Sequence, residues 1–139
     1  MMRAEVRWRE GLDFSGWADS GYAVELASGV AETGSGASPM ELVLIALAGC
    51  TAMDVISILQ KKRQQVTDFE VRVQADKTEQ HPRVFTAARV EYVVTGDSVQ
   101  ADAVARAVEL STTKYCSVHA MLKQAMPIEF SYRVEAVSA

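Results

Sequence analysis

A long apolar segment constrains the fold of this chain more than any other feature. Between Glu41 and Lys61, the run "LVLIALAGCTAMDVISILQ" contains a single charged residue, Asp54. Ser38 and Pro39 precede the run, in the order of a helix N-cap and a first helical residue, and the acid three places after Ser38 completes a capping box. A cluster of cations follows, which favours a helix C-terminus. The pattern therefore predicts one long helix.

A helix this apolar could be surrounded either by a lipid bilayer or by protein. Its length lies at the lower edge of a membrane span. However, Gly49, Thr51, Asp54 and Ser57 interrupt the run, and no aromatic belt flanks it. A helix that is apolar on nearly every side must be buried on nearly every side. Because two chains can bury it more easily than one, we expect a homodimer and no membrane partner.

Composition narrows the class of protein. The 139 residues fit one domain, 1–139, and a hydrophobic content of 49% is enough for a core. A net charge of −4 argues against a nucleic-acid partner. Two cysteines are too few for a secreted disulfide scaffold, and the start "MMRAEVRWRE" has no apolar signal-peptide core. We therefore expect a cytoplasmic protein.

Hydrophobic periodicity predicts an α+β fold. Alternating segments predict three strands before the long helix ("AEVRWRE", "LDFSGWA", "YAVELA"), then a hairpin ("DFEVRVQAD", "VFTAARVEYVVTG") and a final strand ("PIEFSYRVEAV"). Gly- and Ser-rich residues from Ser28 to Ser38 predict a loop. "DSVQADAVARAVELSTTKY" predicts a second helix, bent near Thr112 and Thr113, and "CSVHAMLKQA" a short third helix.

The two cysteines are the main candidates for chemistry. Cys50 lies in the apolar helix among small residues, where a cysteine acts either as a small buried hydrophobe or as a thiol that a ligand can approach. Asp54 follows at i+4, and a carboxylate there disfavours the thiolate, so a reactive Cys50 needs a cation. Cys116 comes near a predicted helix N-terminus, where amide dipoles lower a thiol pKa.

Candidate partners for a reactive thiol are few. No Lys or Arg occurs between Arg9 and Lys61. Arg9 lies on the polar face of the first strand, so it is either a solvated side chain or the N-terminal source of a guanidinium. Glu41 is either the acid of the capping box or a functional carboxylate. His119 follows Cys116 at i+3, which is half of a zinc site, but without the other half we expect a satisfied histidine and no metal.

Two segments resemble a known family. "GASPMELVLIALAGCTAMDV" and "KYCSVHAML" resemble the two cysteine motifs of the OsmC/Ohr family of thiol peroxidases. "EQHPRVFTAARVEYVVTGDSV" and "AVARAVELSTTKYC" also fit the pattern of that family, so the likeness extends from Gly36 to Met121.

The resemblance implies a fold and a reaction. The expected fold is an intertwined homodimer in which antiparallel sheets wrap two long central helices, with active sites at the interface. Cys50 would attack an organic hydroperoxide and become a sulfenic acid, and Cys116 would condense with it to a disulfide. A dithiol would then reduce the disulfide, with no organic cofactor and no metal.

The resemblance also implies an activating pair, in which a glutamate fixes a catalytic arginine. In the best-known members the glutamate directly follows the proline of the first motif, whereas here Met40 follows Pro39 and Glu41 comes one place later. The nearest match to the arginine is Arg9. In the second motif, Ser117 takes the place of a proline.

Two other classes of function fit the same residues. One is a binding module that holds a small apolar or electrophilic ligand without turnover, which Met40 in the place of the acid favours. The other is a structural, stress-associated protein whose cysteines are inert.

Overall fold

The computed structural model describes residues 1–28 and 35–137. The chain forms two compact units, Met1–Leu44 and Ile45–Ala139. Part of the loop predicted between Ser28 and Ser38, residues 29–34, lies outside the described residues.

The first unit contains a small antiparallel sheet. Its strands are β1 (Ala4–Glu10), β2 (Asp13–Ala18) and β3 (Val24–Leu26), in the order β1-β2-β3. The three predicted strands are therefore confirmed. Gly11 makes the turn between β1 and β2 at φ +51°, a backbone conformation that glycine adopts without steric cost.

The long helix α1 (Pro39–Lys61) begins where the capping box predicts. The backbone N–H of Ser38 donates to Glu41 Oε1 at 3.0 Å, and the N–H of Glu41 donates to Ser38 Oγ at 3.2 Å. Residues at i+4 spacing form one fully buried stripe, which comprises Leu47, Thr51, Val55 and Leu59. The expectation that the helix is buried on nearly every side is not met within one chain.

The second unit is built on a three-stranded sheet in the described part of the chain. Strands β4 (Gln65–Lys77) and β5 (Phe85–Asp97) form the predicted antiparallel hairpin. Strand β6 (Ile128–Ala136) runs parallel to β5, so the expectation of purely antiparallel sheets is wrong. The reason is the crossover after β5, because a chain that returns through helices to the start of the same strand must lie parallel to it.

The crossover contains α2 (Ala101–Leu110), a π-helical turn (Ser111–Tyr115) and α3 (Ser117–Leu122). The bend predicted at Thr112 and Thr113 therefore takes the form of a widened helical turn. Both threonine hydroxyls donate to backbone carbonyls of the preceding turn, Thr112 to Val108 at 3.0 Å and Thr113 to Glu109 at 2.6 Å. Such bonds compete with regular helical hydrogen bonding and help to explain the distortion.

The core of the second unit lies among α1, α2 and β5. Its buried members are Leu47, Val55, Leu59, Val90, Tyr92, Val94, Ala103, Val104, Ala107 and Val108. This packing brings the middle of α1 against β5 and the end of α2, so residues near Cys50 meet residues near Cys116.

Candidate active site

Cys50 is positioned by the middle of α1. It lies between Gly49 and the fully buried Thr51, and its own side chain is partly exposed. Small neighbours on the helix leave the sulfur accessible, while Thr51 fixes this turn of the helix in the core. The arrangement suits a thiol that must be held in place and still be reached.

Cys116 is positioned by the junction between the π-helical turn and α3. Its backbone N–H donates to the carbonyl of Ser111 at 2.8 Å, which closes the π-helical turn. Its Sγ accepts the backbone N–H of His119 at 3.4 Å, so Cys116 is the N-cap of α3. The residue is only 4% exposed.

The two thiols are neighbours in the second unit. Both cysteines are free, and Cys50 is close enough to Cys116 to affect the pKa of its thiol. Burial raises the pKa of Cys116 to about 11, the bond from the His119 amide opposes this, and Cys50 and Asp54 raise the pKa further. The amide at the helix N-terminus therefore acts in the predicted direction, but desolvation outweighs it, and the net shift of the pKa is opposite to the expected one.

A chain of hydroxyl groups crosses the core beside the thiols. Thr51 Oγ1 lies 2.6 Å from the Tyr92 hydroxyl and 2.7 Å from Ser111 Oγ, and Ser111 Oγ donates to Asp54 Oδ2 at 2.9 Å. Burial raises the pKa of Tyr92 to about 12, although its bond to Thr51 opposes the shift. The sequence patterns did not predict this chain of hydroxyl groups. The one available signal was Asp54, the sole charge of α1 between Glu41 and Lys61.

His119 is a buried histidine with a structural role. Its ring meets Phe130 edge-on at 4.9 Å between centroids. Its Nδ1 lies 3.0 Å from the carbonyl of Thr112, which can only accept, so Nδ1 carries a proton. Burial lowers the pKa of His119. Within residues 1–28 and 35–137, no three His, Cys, Asp or Glu side chains are grouped to hold a metal.

The two predicted activating residues belong to the first unit. Arg9 Nε donates to the buried Ser15 Oγ at 2.9 Å, and Ser15 Oγ donates to the carboxylate of Glu25 at 2.8 Å. Glu41 is bound to Ser38 in the capping box, and the backbone bond from Ser38 is the main cause that lowers the pKa of Glu41. Arg9 is thus held through Ser15 by Glu25, an acid that sequence reasoning did not select.

A cavity of about 570 Å³ opens beside the hydroxyl chain in the second unit. Asp54 forms part of its wall, together with Met53, Lys61 and Tyr115. Among the described residues, the lining includes the turn of α1 after Cys50 but not Cys50 itself.

Fold and thiol pair together define a class of protein, the two-cysteine OsmC-like proteins. The OsmC-like protein family matches residues 32–131, and the chain belongs to this family. Its sequence is 47% identical over 135 residues to protein YhfA of Escherichia coli K12, covering 97% of this chain and 99% of that protein.

Solved structures extend the comparison. The crystal structure of a hypothetical protein from Aquifex aeolicus VF5 is similar at 31% identity and a TM-score of 0.86, covering 99% of this chain and 98% of that one. A more distant likeness is the organic hydroperoxide resistance protein OhrB of Bacillus subtilis, with a TM-score of 0.61, 14% identity and coverage of 96% and 98%. At that identity the likeness shows the fold alone.

Proposed function

We propose that this protein is a thiol peroxidase that reduces organic hydroperoxides. The observation that carries the proposal is a pair of adjacent but unequal thiols. Cys50 is partly exposed and accessible, whereas Cys116 is 4% exposed and its pKa is raised to about 11. Because the thiolate is the nucleophile, this inequality favours Cys50 as the first attacker and Cys116 as the thiol that resolves the product.

The reaction balances with two thiols and one hydroperoxide. The Cys50 thiolate attacks the distal oxygen, the O–O bond breaks, and the sulfur is oxidised by two electrons to a sulfenic acid while the alkoxide takes a proton and leaves as an alcohol. The Cys116 sulfur then attacks the Cys50 sulfur, the S–S bond forms, and the hydroxyl group leaves as water. A dithiol reductant restores both thiols by exchange.

Two observations support an organic hydroperoxide as the substrate. Part of the wall of the cavity beside Asp54 is apolar, formed by Met53, Ile58 and Leu110, and this part suits an alkyl chain. The Bacillus subtilis OhrB is named for organic hydroperoxide resistance, and it has the same fold. We extend the proposal to action in the cytoplasm in defence against oxidative stress, where a dithiol reductant keeps such a pair reduced.

The test is a titration of reduced protein with cumene hydroperoxide. One equivalent should convert both thiols to a disulfide and release one cumyl alcohol, as measured by a thiol assay, by the loss of two mass units and by chromatography. Tert-butyl hydroperoxide should give the same result, with hydrogen peroxide slower. Survival of both thiols after several equivalents contradicts the proposal.

We also propose that the working form is a homodimer that covers the exposed part of α1. The most apolar window of α1 has a mean hydropathy of 2.3, and 22% of it is buried within one chain. Ile45 and Met53 are 59% and 73% exposed. By length and composition α1 could cross a bilayer, but Asp54 forms part of a core hydroxyl chain, which favours protein as the covering surface.

Sedimentation tests the dimer directly. The proposal requires a species of twice 15.1 kDa at micromolar concentration. Replacement of Met53 by Glu should weaken it, since a charge would enter the covered face, whereas Glu109→Lys on an exposed side chain serves as the control. A monodisperse monomer, or sedimentation with added phospholipid vesicles, contradicts it.

A second candidate function is the binding of a small apolar ligand without turnover. The cavity beside Asp54 and Met40 in the place of the family's acid favour it. In that case a Cys50→Ser protein would still bind a hydrophobic fluorescent probe, while wild type would form no disulfide with peroxide.

A further inference from the structure

Ser111 joins the two cysteine-bearing segments of the second unit through both its side chain and its backbone. Its Oγ contacts α1 at two points, Thr51 Oγ1 at 2.7 Å and Asp54 Oδ2 at 2.9 Å. Its carbonyl accepts the backbone N–H of Cys116 at 2.8 Å. Thr51 is the residue directly after Cys50, so a short path of bonded groups connects the backbones of the two cysteines.

The direction of the hydrogen bonds in this path follows from counting protons. A carboxylate only accepts, so the Ser111 hydroxyl must donate to Asp54. Having used its one proton, Ser111 must accept from Thr51, and Thr51 must in turn accept from Tyr92. All three hydroxyl groups therefore point toward Asp54, and removing the acceptor would leave the whole chain without a fixed direction.

Ser111 lies in a distorted part of the helical backbone. Ser111 is the first residue of the π-helical turn and is 1% exposed. A π-helical turn is a local distortion of a helix, and such distortions persist where tertiary contacts hold them. Among the contacts of the described residues, the bonds from Ser111 Oγ tie the start of this turn to α1, and the bond from its carbonyl ties the end.

We propose that Ser111, oriented by Asp54 and Thr51, is a positioning residue that holds the backbone of Cys116 in place against α1 and so speeds closure of the disulfide with Cys50. A disulfide requires Cα atoms about 4.4–6.8 Å apart, with a narrow choice of torsion angles, so a small displacement of the π-helical turn suppresses closure. The inference deepens the proposed function, whose second step it concerns, but the geometry applies to any oxidant.

The experiment measures closure without a peroxide. Diamide, a diazene, takes two electrons and two protons from the thiols and becomes a hydrazine as the S–S bond forms. The rate of this closure, and the equilibrium with a glutathione redox buffer, together give the effective concentration of one thiol at the other. The variants are Ser111→Ala, Asp54→Ala and Asp54→Asn.

Ser111→Ala and Asp54→Ala should lower the effective concentration about 10–100-fold, since a shift of about 1 Å costs an oriented reaction that much. Asp54→Asn should restore most of the loss, because its amide oxygen can still accept the Ser111 hydroxyl. The rate of alkylation of Cys50 by iodoacetamide should stay the same in Ser111→Ala and should not fall in either Asp54 variant, since each removes a carboxylate that disfavours the Cys50 thiolate. A matched comparison is Thr113→Ala, which removes a hydroxyl of the same turn that bonds to Glu109 and not to α1, so its effect on closure should be smaller.

Several outcomes overturn the inference. Closure at the wild-type rate in Ser111→Ala does so, as does an equal loss in Thr113→Ala. If Asp54→Asn is as slow as Asp54→Ala, the charge matters and not the orientation, which also overturns it. Should Ser111→Ala fail to fold, the two Asp54 variants decide. A wild type that ignores hydroperoxides but closes with diamide defeats the proposed function and leaves this inference standing.

Discussion

The two compact units of the chain divide the predicted active-site residues between them. The second unit holds Cys50 and Cys116, and Cys50 is close enough to raise the pKa of the Cys116 thiol. The first unit holds Arg9 and Glu41, and each of these has a partner within its own unit, Ser15 for Arg9 and Ser38 for Glu41. The second unit therefore forms the thiol pair from its own residues. The roles of Arg9 and Glu41 stay predictions, and mutations in the two units should differ strongly in effect.

The largest expected effect is the loss of Cys50. Cys50→Ser should reduce hydroperoxide consumption to the uncatalysed background, a fall of at least about 10³-fold, because it removes the nucleophile. Cys116→Ser should still consume the first equivalent but then stop, with mass spectrometry showing oxidised Cys50 and no disulfide. Equal activity of both variants in the first turnover would show that the two thiols are interchangeable. That result would contradict the roles assigned from their different exposure.

The next largest effect is the pH dependence of disulfide closure, which involves Cys116 of the second unit. The pKa of Cys116 is raised to about 11 by burial, so at neutral pH its thiol is almost entirely protonated. If its thiolate attacks the sulfenic acid, the rate of disulfide closure should rise about tenfold per pH unit from 7 to 9, or about 100-fold in all. Rapid acid quenching after one equivalent of hydroperoxide measures this rate. A flat profile would mean that another group removes the proton during the step.

A smaller effect is expected from the first unit. If Arg9 supplies the activating cation, Arg9→Ala should slow the first step about 10-fold or more, since an opposite charge nearby favours a thiolate. Ser15→Ala should slow it less, because it removes only the link between Arg9 and Glu25. Stopped-flow consumption of cumene hydroperoxide measures both. Arg7→Ala, on an exposed residue of the same strand, is the control, and an equal loss there would exclude a specific role of Arg9.

Local signals in the sequence predicted the local structure well. The capping box at Ser38 and Glu41 and the strand pattern of β1 to β5 depend on neighbouring residues, and the structure shows both. The parallel pairing of β6 was missed, because alternation marks a strand without giving its direction. The sequence thus predicted the helices and strands of the fold better than it predicted how the strands pair.

Long-range contacts explain why less of the site could be predicted. The bond between Thr51 and Ser111 joins residues 60 positions apart. Taken alone, Thr51 is an ordinary polar residue in an apolar helix, and Ser111 is one at the end of an amphipathic helix. The burial of Cys116, which reverses the expected shift of its pKa, depends in the same way on elements that are distant in sequence. Family resemblance indicated the two cysteines, but the groups that hold them became visible only in three dimensions.

The smallest effect should come from Glu41, and it separates a cap from a catalytic acid. In the capping box Ser38 and Glu41 each satisfy a backbone N–H of the other, so Ser38→Ala and Glu41→Gln should act alike, with a small loss of thermal stability and peroxidase activity within about twofold of wild type. The bond from the Ser38 backbone also lowers the pKa of Glu41, so the effect of this contact on stability is present at neutral pH and is lost as the carboxylate is protonated at low pH. Thermal unfolding at pH 7 and pH 3 measures it in both variants. If Glu41→Gln instead lost most of its activity while Ser38→Ala kept it, Glu41 would have a chemical role beyond the cap, and the first unit would contribute more to the reaction than its hydrogen bonds indicate.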